Sequence, residues 1–242
     1  MKSFFQVALK RVGSAIAVAG AAYATLAVIC WWRYGQEKCQ GGKSTDSGLE
    51  RFLPECEVRE RHCIQVAAPA ATTFVAICGM RLEESAIVRS IFHVREIFLG
   101  AGPERNKTPL LGLVEQAKLW GWGVLAEDAG REIVFGAVTQ PWLARPVFHA
   151  LSPAEFAAFH EPGFAKIGWT LRIDPVDAGT SMACTETRVA TTDEGSRAKF
   201  RRYWALVRPG VVLIRLVSLR FVKKSAEASA RKLEFSGRTL AN

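Results

Sequence analysis

The hydrophobic pattern divides the chain into regimes of different period. Residues 12–32, "VGSAIAVAGAAYATLAVICWW", carry no charge over 21 positions. A helix needs roughly 20 such residues to cross a bilayer core. Lys2, Lys10 and Arg11 precede the run and Arg33 follows it, while Trp31, Trp32 and Tyr34 stand where an interfacial aromatic belt would lie. The pattern predicts one transmembrane helix within residues 1–34. A cleaved signal peptide is the rival, with Ala22-Tyr23-Ala24 as its small-x-small site. The apolar run continues to Trp32, further than a cleaved peptide needs, which favours a retained anchor. Lys2, Lys10 and Arg11 balance Arg33, Lys38 and Lys43 across the run, so its orientation stays open.

Residues 35–56 read as a linker, led by the Gly- and Ser-rich "GQEKCQGGKSTDSG". Its Gly42-Lys43-Ser44 is not a phosphate-binding loop, because Glu37 stands where that spacing requires Gly. Beyond the linker the period changes. Residues 57–67 have strand character, and Pro69 then opens a short helix, a position where its missing N–H has no helical partner. Residues 83–99 repeat apolar positions at helical steps (Ile87, Ile91, Val94, Phe98), 100–108 read as a loop, and 110–119 as another short helix. Strands follow at 121–126 and 131–139, flanking the turn "EDAG". Ser152, Pro153 and Glu155 have the spacing of a capping box. In 163–173, Ile167, Trp169, Leu171 and Ile173 alternate onto one face, and 181–190 form a further strand. Asp193 caps a long final helix, which Pro209-Gly210 should kink or interrupt. Its apolar Phe200, Tyr203, Trp204 and Val207 share a face, with Arg197, Arg201 and Arg208 on another.

This order implies an α+β domain over residues 57–232, in which a curved antiparallel sheet wraps around a long C-terminal helix, followed by a tail over 233–242. Such an arrangement leaves a space between sheet and helix suited to an apolar ligand.

Composition refines that picture. Apolar residues make up 49% and charged residues 23% of the 242, which excludes a disordered chain. The net charge of +9 is concentrated late: twelve Lys/Arg stand against Glu227 and Glu234 from Gly195 onward. A solvated helix face is the plain reading of that excess, and an anionic partner the sharper one. The six cysteines, Cys30, Cys39, Cys56, Cys63, Cys78 and Cys184, form no CxxC, and His62-Cys63 lacks a second ligand pair. They read as scattered thiols and lean towards a reducing compartment.

The stretches "HCIQVAAPAATTFVAI", "WGWGVLAEDAGREIVFGAVTQPW", "EFAAFHEPGFAKIGWTLRI", "TETRVATTD" and "FRRYWALVRPG" resemble the SRPBCC superfamily, the START and polyketide-cyclase-like group with the helix-grip fold. The likeness covers about residues 61–230 and is to an uncharacterised bacterial branch. One departure is visible: Val211-Val212 follow Pro209-Gly210 where that branch has a small Ser-Gly pair. The resemblance implies a hydrophobic cavity under the C-terminal helix, holding a lipid-, sterol- or polyketide-like molecule, and some members are cyclases or aromatases.

Glu186 and Arg188 sit two apart in a strand and so share a face. If that face lines the cavity they orient a polar ligand head; otherwise they pair with each other or with Asp193, Arg201 or Arg202. Trp122, Trp142, Trp169 and Tyr203 complete the candidate ligand set, against a plain core role. Trp120 belongs with the same tryptophans. His93, His149 and His160 lack any adjacent nucleophile, and Glu115 is more simply solvated. Glu186 with a histidine is the sole acid/base pair the sequence offers. No catalytic residue, metal site or cofactor is assigned, and no nucleic acid is expected. The sequence therefore favours a membrane-tethered, single-pass binding module for a hydrophobic small molecule. The alternatives are a cyclase- or aromatase-like enzyme and a basic-surface interaction protein without ligand.

Overall fold

The computed structural model describes residues 2–34, 48–81 and 111–240. Helix α1 spans Lys2–Arg33, and a 3-10 turn covers Gly48–Arg51. Strand β1 (Val58–Val66) and helix α2 (Ala70–Cys78) come next, then α3 (Leu113–Leu119) and the hairpin β2 (Gly123–Asp128) and β3 (Glu132–Thr139). A two-residue strand β4 (Phe148–His149), helix α4 (Pro153–Ala158), strands β5 (Ala165–Pro175) and β6 (Ser181–Thr191), and helix α5 (Glu194–Leu240) complete the order. The helix expected over 83–99 and the loop over 100–108 lie outside the described residues. Among the described residues, no helix is long and apolar enough to cross a membrane, so the transmembrane helix expected within residues 1–34 is not supported here.

The sheet is antiparallel with strand order β1-β6-β5-β3-β2, and β4 pairs with β3. Together with the long C-terminal helix this is the expected α+β, helix-grip arrangement. Its register makes the faces explicit. Ile133, Phe135, Leu171, Ile173 and Ala183 pack with Leu219, Val222 and Ala226 of α5 and Ile77 of α2 on the concave side. Toward the start of α5, Phe200 and Trp204 join Val58, Ala165 and Val189. The opposite, outer face carries Val134, Val138 and Leu125 under Leu49, Phe52, Leu53 and Phe156. With both faces covered, all eight residues of β3 are buried.

The outer covering extends the packed unit back to Gly48, inside the stretch read as linker. Leu49 and Leu53 lie against Gly168, where an added Cβ would stand 2.4 Å from Leu49 Cδ1 and 3.1 Å from Leu53 Cδ1. Because this side of the sheet needs bare backbone there, Gly168→Ala is expected to destabilise by about 1–3 kcal/mol through overpacking, read as a lower Tm. An unchanged Tm would show that the 48–53 strap yields freely.

Local signals act as the sequence implies. The Ser152 hydroxyl accepts from Glu155 N–H, and the Glu155 carboxylate accepts from Ser152 N–H, a complete capping box. Asp193 accepts from the Ser196 hydroxyl at 2.6 Å, from Gly163 N–H at 2.5 Å and from Ser196 N–H at 2.8 Å. These bonds hold its carboxyl well below the usual carboxylate range.

Two expectations are corrected. Of the kink or interruption expected at Pro209-Gly210 the interruption is absent: helix α5 is assigned as one helix from Glu194 to Leu240, over residues read as a tail. Proline removes one intrahelical donor here, and α1 supplies a donor nearby: the Tyr23 hydroxyl donates to the Leu206 carbonyl. The cysteines are not scattered thiols. Cys63 and Cys184 face each other across β1 and β6 and form a disulfide, with Cα atoms 4.1 Å apart. Cys56 is disulfide-bonded as well, while Cys30 and Cys78 are free thiols. Sequence spacing could not reveal a bond set by strand register 121 residues apart. Disulfides persist in oxidising compartments, so the lean towards a reducing one loses its basis.

Candidate functional site

Glu186 and Arg188 do share a face, and it is the outer one. Arg188 pairs in register with Gly168, whose open side receives Leu49 and Leu53. Arg188 Nε donates to Glu186 Oε1 at 2.7 Å, and Arg188 Nη1 donates to the Leu53 carbonyl at 3.0 Å. Arg59 Nε donates to the same Glu186 oxygen at 3.0 Å, and Glu50 lies 3.6 Å from Arg188 Nη2. Both residues are 2% exposed. They form an ion-pair network that ties the 48–53 strap to the sheet, and they do not line the space beneath α5. The partners are Arg59 and Glu50 rather than Asp193, Arg201 or Arg202, because the strap approaches from that side. The acid/base pairing of Glu186 with a histidine of the concave face is excluded by the same geometry.

The aromatic candidates lie on the concave side in two groups. Trp169 stacks on Phe135 at 4.3 Å and meets Trp122 edge-on at 5.8 Å, and Trp122 lies 4.9 Å from Phe148. Trp142 and Tyr203 pack instead around Phe200, Trp204 and Ile167. All four are half-buried. Among the other candidates, His149 and His160 are exposed, Glu115 is exposed and paired with Lys118 at 2.9 Å, and His93 lies outside the described residues.

Between these apolar regions the contact of β1 and β6 with α5 turns polar. Glu60, His62, Thr185 and Thr187 occupy the concave positions of the two strands, paired Glu60 with Thr187 and His62 with Thr185. From the helix, Arg208 Nε donates to Glu60 Oε1. Arg215 Nη1 donates to the Glu60 carbonyl at 3.2 Å, and its Nη2 donates to Thr187 Oγ1. Part of Arg215 reaches solvent, yet the packed protein around it lowers its guanidinium to about 10, against the upward pull of the Glu60 and Glu186 carboxylates. His62 Nδ1 and, one helical turn beyond Arg215, Ser218 Oγ are buried atoms without a hydrogen-bond partner among the described residues. Burial, and then the Arg215 charge, lower the His62 pKa. Its imidazole is therefore neutral at pH 7, with one nitrogen that accepts and one that donates.

A histidine whose folded pKa is depressed contributes stability above its ordinary value of 6.5, and that contribution is lost as pH falls through the lower folded value. Thermal melts should accordingly weaken as pH drops below 6.5, and His62→Gln should flatten that limb. A limb unchanged in the variant would assign the acid sensitivity to other groups.

This cluster was missed in the sequence. Glu60 and His62 sit in a strand whose alternation is not apolar, and Arg215 is a single charge within "GVVLIRLVSL". Its position at the middle of an otherwise apolar ten-residue stretch of the helix was the available signal, since such a charge must find partners. A neighbouring pocket of about 30 Å³, room for about one water, lies between α1, β1 and α5, with Cys30, Tyr34, Glu60 and Arg208 in its wall.

No protein-family model matches the chain, and no curated protein does. Solved structures do. An aromatase/cyclase from Streptomyces is 14% identical over 70% of this chain and 93% of its own, with a TM-score of 0.27. A conserved protein from Geobacillus kaustophilus is 8% identical over 72% and 96%, at 0.31. A START superfamily protein from Mycobacterium smegmatis is 12% identical over 72% and 98%, at 0.22. Overlaps this loose carry no argument about function.

Proposed function

We propose that this protein is a membrane-tethered binding module of SRPBCC type that holds an apolar small molecule with a polar end between its sheet and α5. One observation carries the reading. The helix–sheet contact is apolar at both ends, with half-buried aromatics on its concave wall. At its centre it sets Arg215 beside His62 and Ser218, and the buried polar atoms of His62 and Ser218 have no partner among the described residues. Buried polar atoms are normally satisfied, so those of His62 and Ser218 suit a ligand hydroxyl or carbonyl better than a purely structural role. The tethering part of this reading rests on the sequence alone, on the uncharged 12–32 run, and a single pass there would place the site beside the phase into which apolar ligands partition. The Cys63–Cys184 disulfide supports a domain on the oxidising side of that membrane.

The test is native mass spectrometry of the full chain ejected from nanodiscs of one synthetic lipid after incubation with a total lipid extract. The expected result is a discrete one-to-one adduct, distinct from the nanodisc lipid, that is lost in Trp169→Ala and Arg215→Met variants of unchanged secondary structure. A clean apo mass would overturn the reading.

A second reading, a cyclase-like enzyme acting on such a ligand, draws on the neutral His62 beside Arg215. It requires turnover of the captured molecule that His62→Gln abolishes while leaving binding intact.

A further inference from the structure

We infer that the polar end of the molecule held beneath α5 is a carboxylate, so that the ligand is a long-chain carboxylic acid and Arg215 is its counterion. The inference rests on the binding reading proposed above, not on its tether, and names the ligand class for that same site.

Arg215 is placed to meet a ligand. Packed protein surrounds its guanidinium on nearly every side, yet part of the side chain keeps accessible surface. Accessible surface on a group enclosed in this way opens into a recess of the protein. Ser218, three residues on, stands on the same side of the helix and is half-buried too.

The charges at this contact do not balance. Arg208 takes the Glu60 carboxylate in an ion pair. Arg215 binds the Glu60 carbonyl and the Thr187 hydroxyl, both neutral acceptors. Among the described residues no carboxylate lies within ion-pair distance of it. Glu186 pulls on it only from the outer face, where Arg59 and Arg188 hold that carboxylate. Lys223, about two turns further along α5, is paired with Glu227. His62 is neutral, because burial and the Arg215 charge both oppose its protonation. Arg208 and Arg215 against Glu60 leave one positive charge in excess. Buried charges are normally paired. A ligand with a single negative charge restores the balance, whereas an alcohol or an ester leaves the excess in place.

The hydrogen-bond inventory gives the same answer. A guanidinium only donates, and it carries more N–H groups than the two bonds of Arg215 use. The Ser218 hydroxyl and the N–H tautomer of His62 Nδ1 are donors as well, without a partner among the described residues. A carboxylate only accepts, through both of its oxygens, and its plane matches the fork of an arginine. The half-buried Trp122 and Trp169, with the apolar residues around them, would then take the chain.

The experiment uses the full chain in nanodiscs of one neutral synthetic lipid at about pH 8, where a carboxylic acid is ionised. Hexadecanoic acid, hexadecanol and methyl hexadecanoate share a chain and differ at the polar end. They are offered in equal amounts, and the adducts are compared by native mass spectrometry. The expected result is a preference for the acid of about tenfold or more over either neutral probe, the scale of hydrogen bonds to a charged group. Arg215→Met should reduce it to near parity, and Arg215→Lys should retain part of it. Equal capture of acid and alcohol by the unaltered chain would overturn this inference and leave the binding reading standing. A preference undiminished in Arg215→Met would overturn Arg215 as the counterion. Hexadecyl phosphate captured ahead of the acid in a parallel run would overturn the carboxylate in favour of a phosphate. A discrete adduct from the total lipid extract, with no capture of the acid, would overturn this inference alone. No adduct from either source would remove the binding reading, and this inference with it.

Discussion

Serine at both Cys63 and Cys184 is expected to cost about 2–5 kcal/mol of stability, the usual range for a structural disulfide. The bond closes a loop of 121 residues between β1 and β6. A loop of that length gains nearly 5 kcal/mol in chain-entropy terms, roughly 1–2 kcal/mol more than a short one. β1 is an edge strand held by β6 on one side only, so the bond secures the element that also carries Glu60 and His62. The consequence reaches the site: with β1 loosened, the Arg215 contacts to Glu60 and Thr187 lose their fixed spacing. The measurement is a thermal melt of the double variant, with the wild type in dithiothreitol as a parallel. A fall of roughly 5–15 °C is expected, since a domain of this size shifts by about 2–4 °C per kcal/mol. Equal melting temperatures with and without reductant would show that the sheet carries its edge unaided.

Arg215→Ala should be the most damaging single change beneath α5, at about 2–4 kcal/mol. It leaves the Glu60 carbonyl and the Thr187 hydroxyl without their donor and opens the volume of a long side chain. The Arg208–Glu60 pair survives it, which limits the loss to one arm of the network. Arg215→Met keeps much of the packing volume and should cost less than Ala by the cavity contribution alone, because both variants leave the same two acceptors without their donor. The pair of variants separates structure from binding. If Met restores stability and ligand capture stays lost, Arg215 holds the ligand. If Met restores both, its role is to join helix to sheet.

Much of the fold was legible in the sequence because it is written in local terms. The hairpin at "EDAG", the Ser152–Glu155 capping box and the Asp193 cap are interactions between residues a few positions apart, and the structure has each of them. The alternation of Ile167, Trp169, Leu171 and Ile173 likewise states which residues travel together. It cannot state which layer they meet. Glu186 and Arg188 illustrate the limit: their spacing shows a common face, but both faces of β6 are covered, so a buried pair reads the same on either. Only the approach of Leu49 and Leu53 over Gly168 decided for the outer face.

The sequence by itself determined most of the described elements and their order, the uncharged 12–32 run and the placing of the basic excess, because period, capping and charge density are properties of neighbours along the chain. The tertiary structure alone decided three things. It joined Cys63 to Cys184, kept α5 continuous past Pro209, and brought Glu60, His62 and Arg215 together under the helix. Each depends on strand register or on the rotational phase of a helix against a sheet. A shift of one residue in the first, or about 100° in the second, exchanges the partners while leaving the local pattern unchanged.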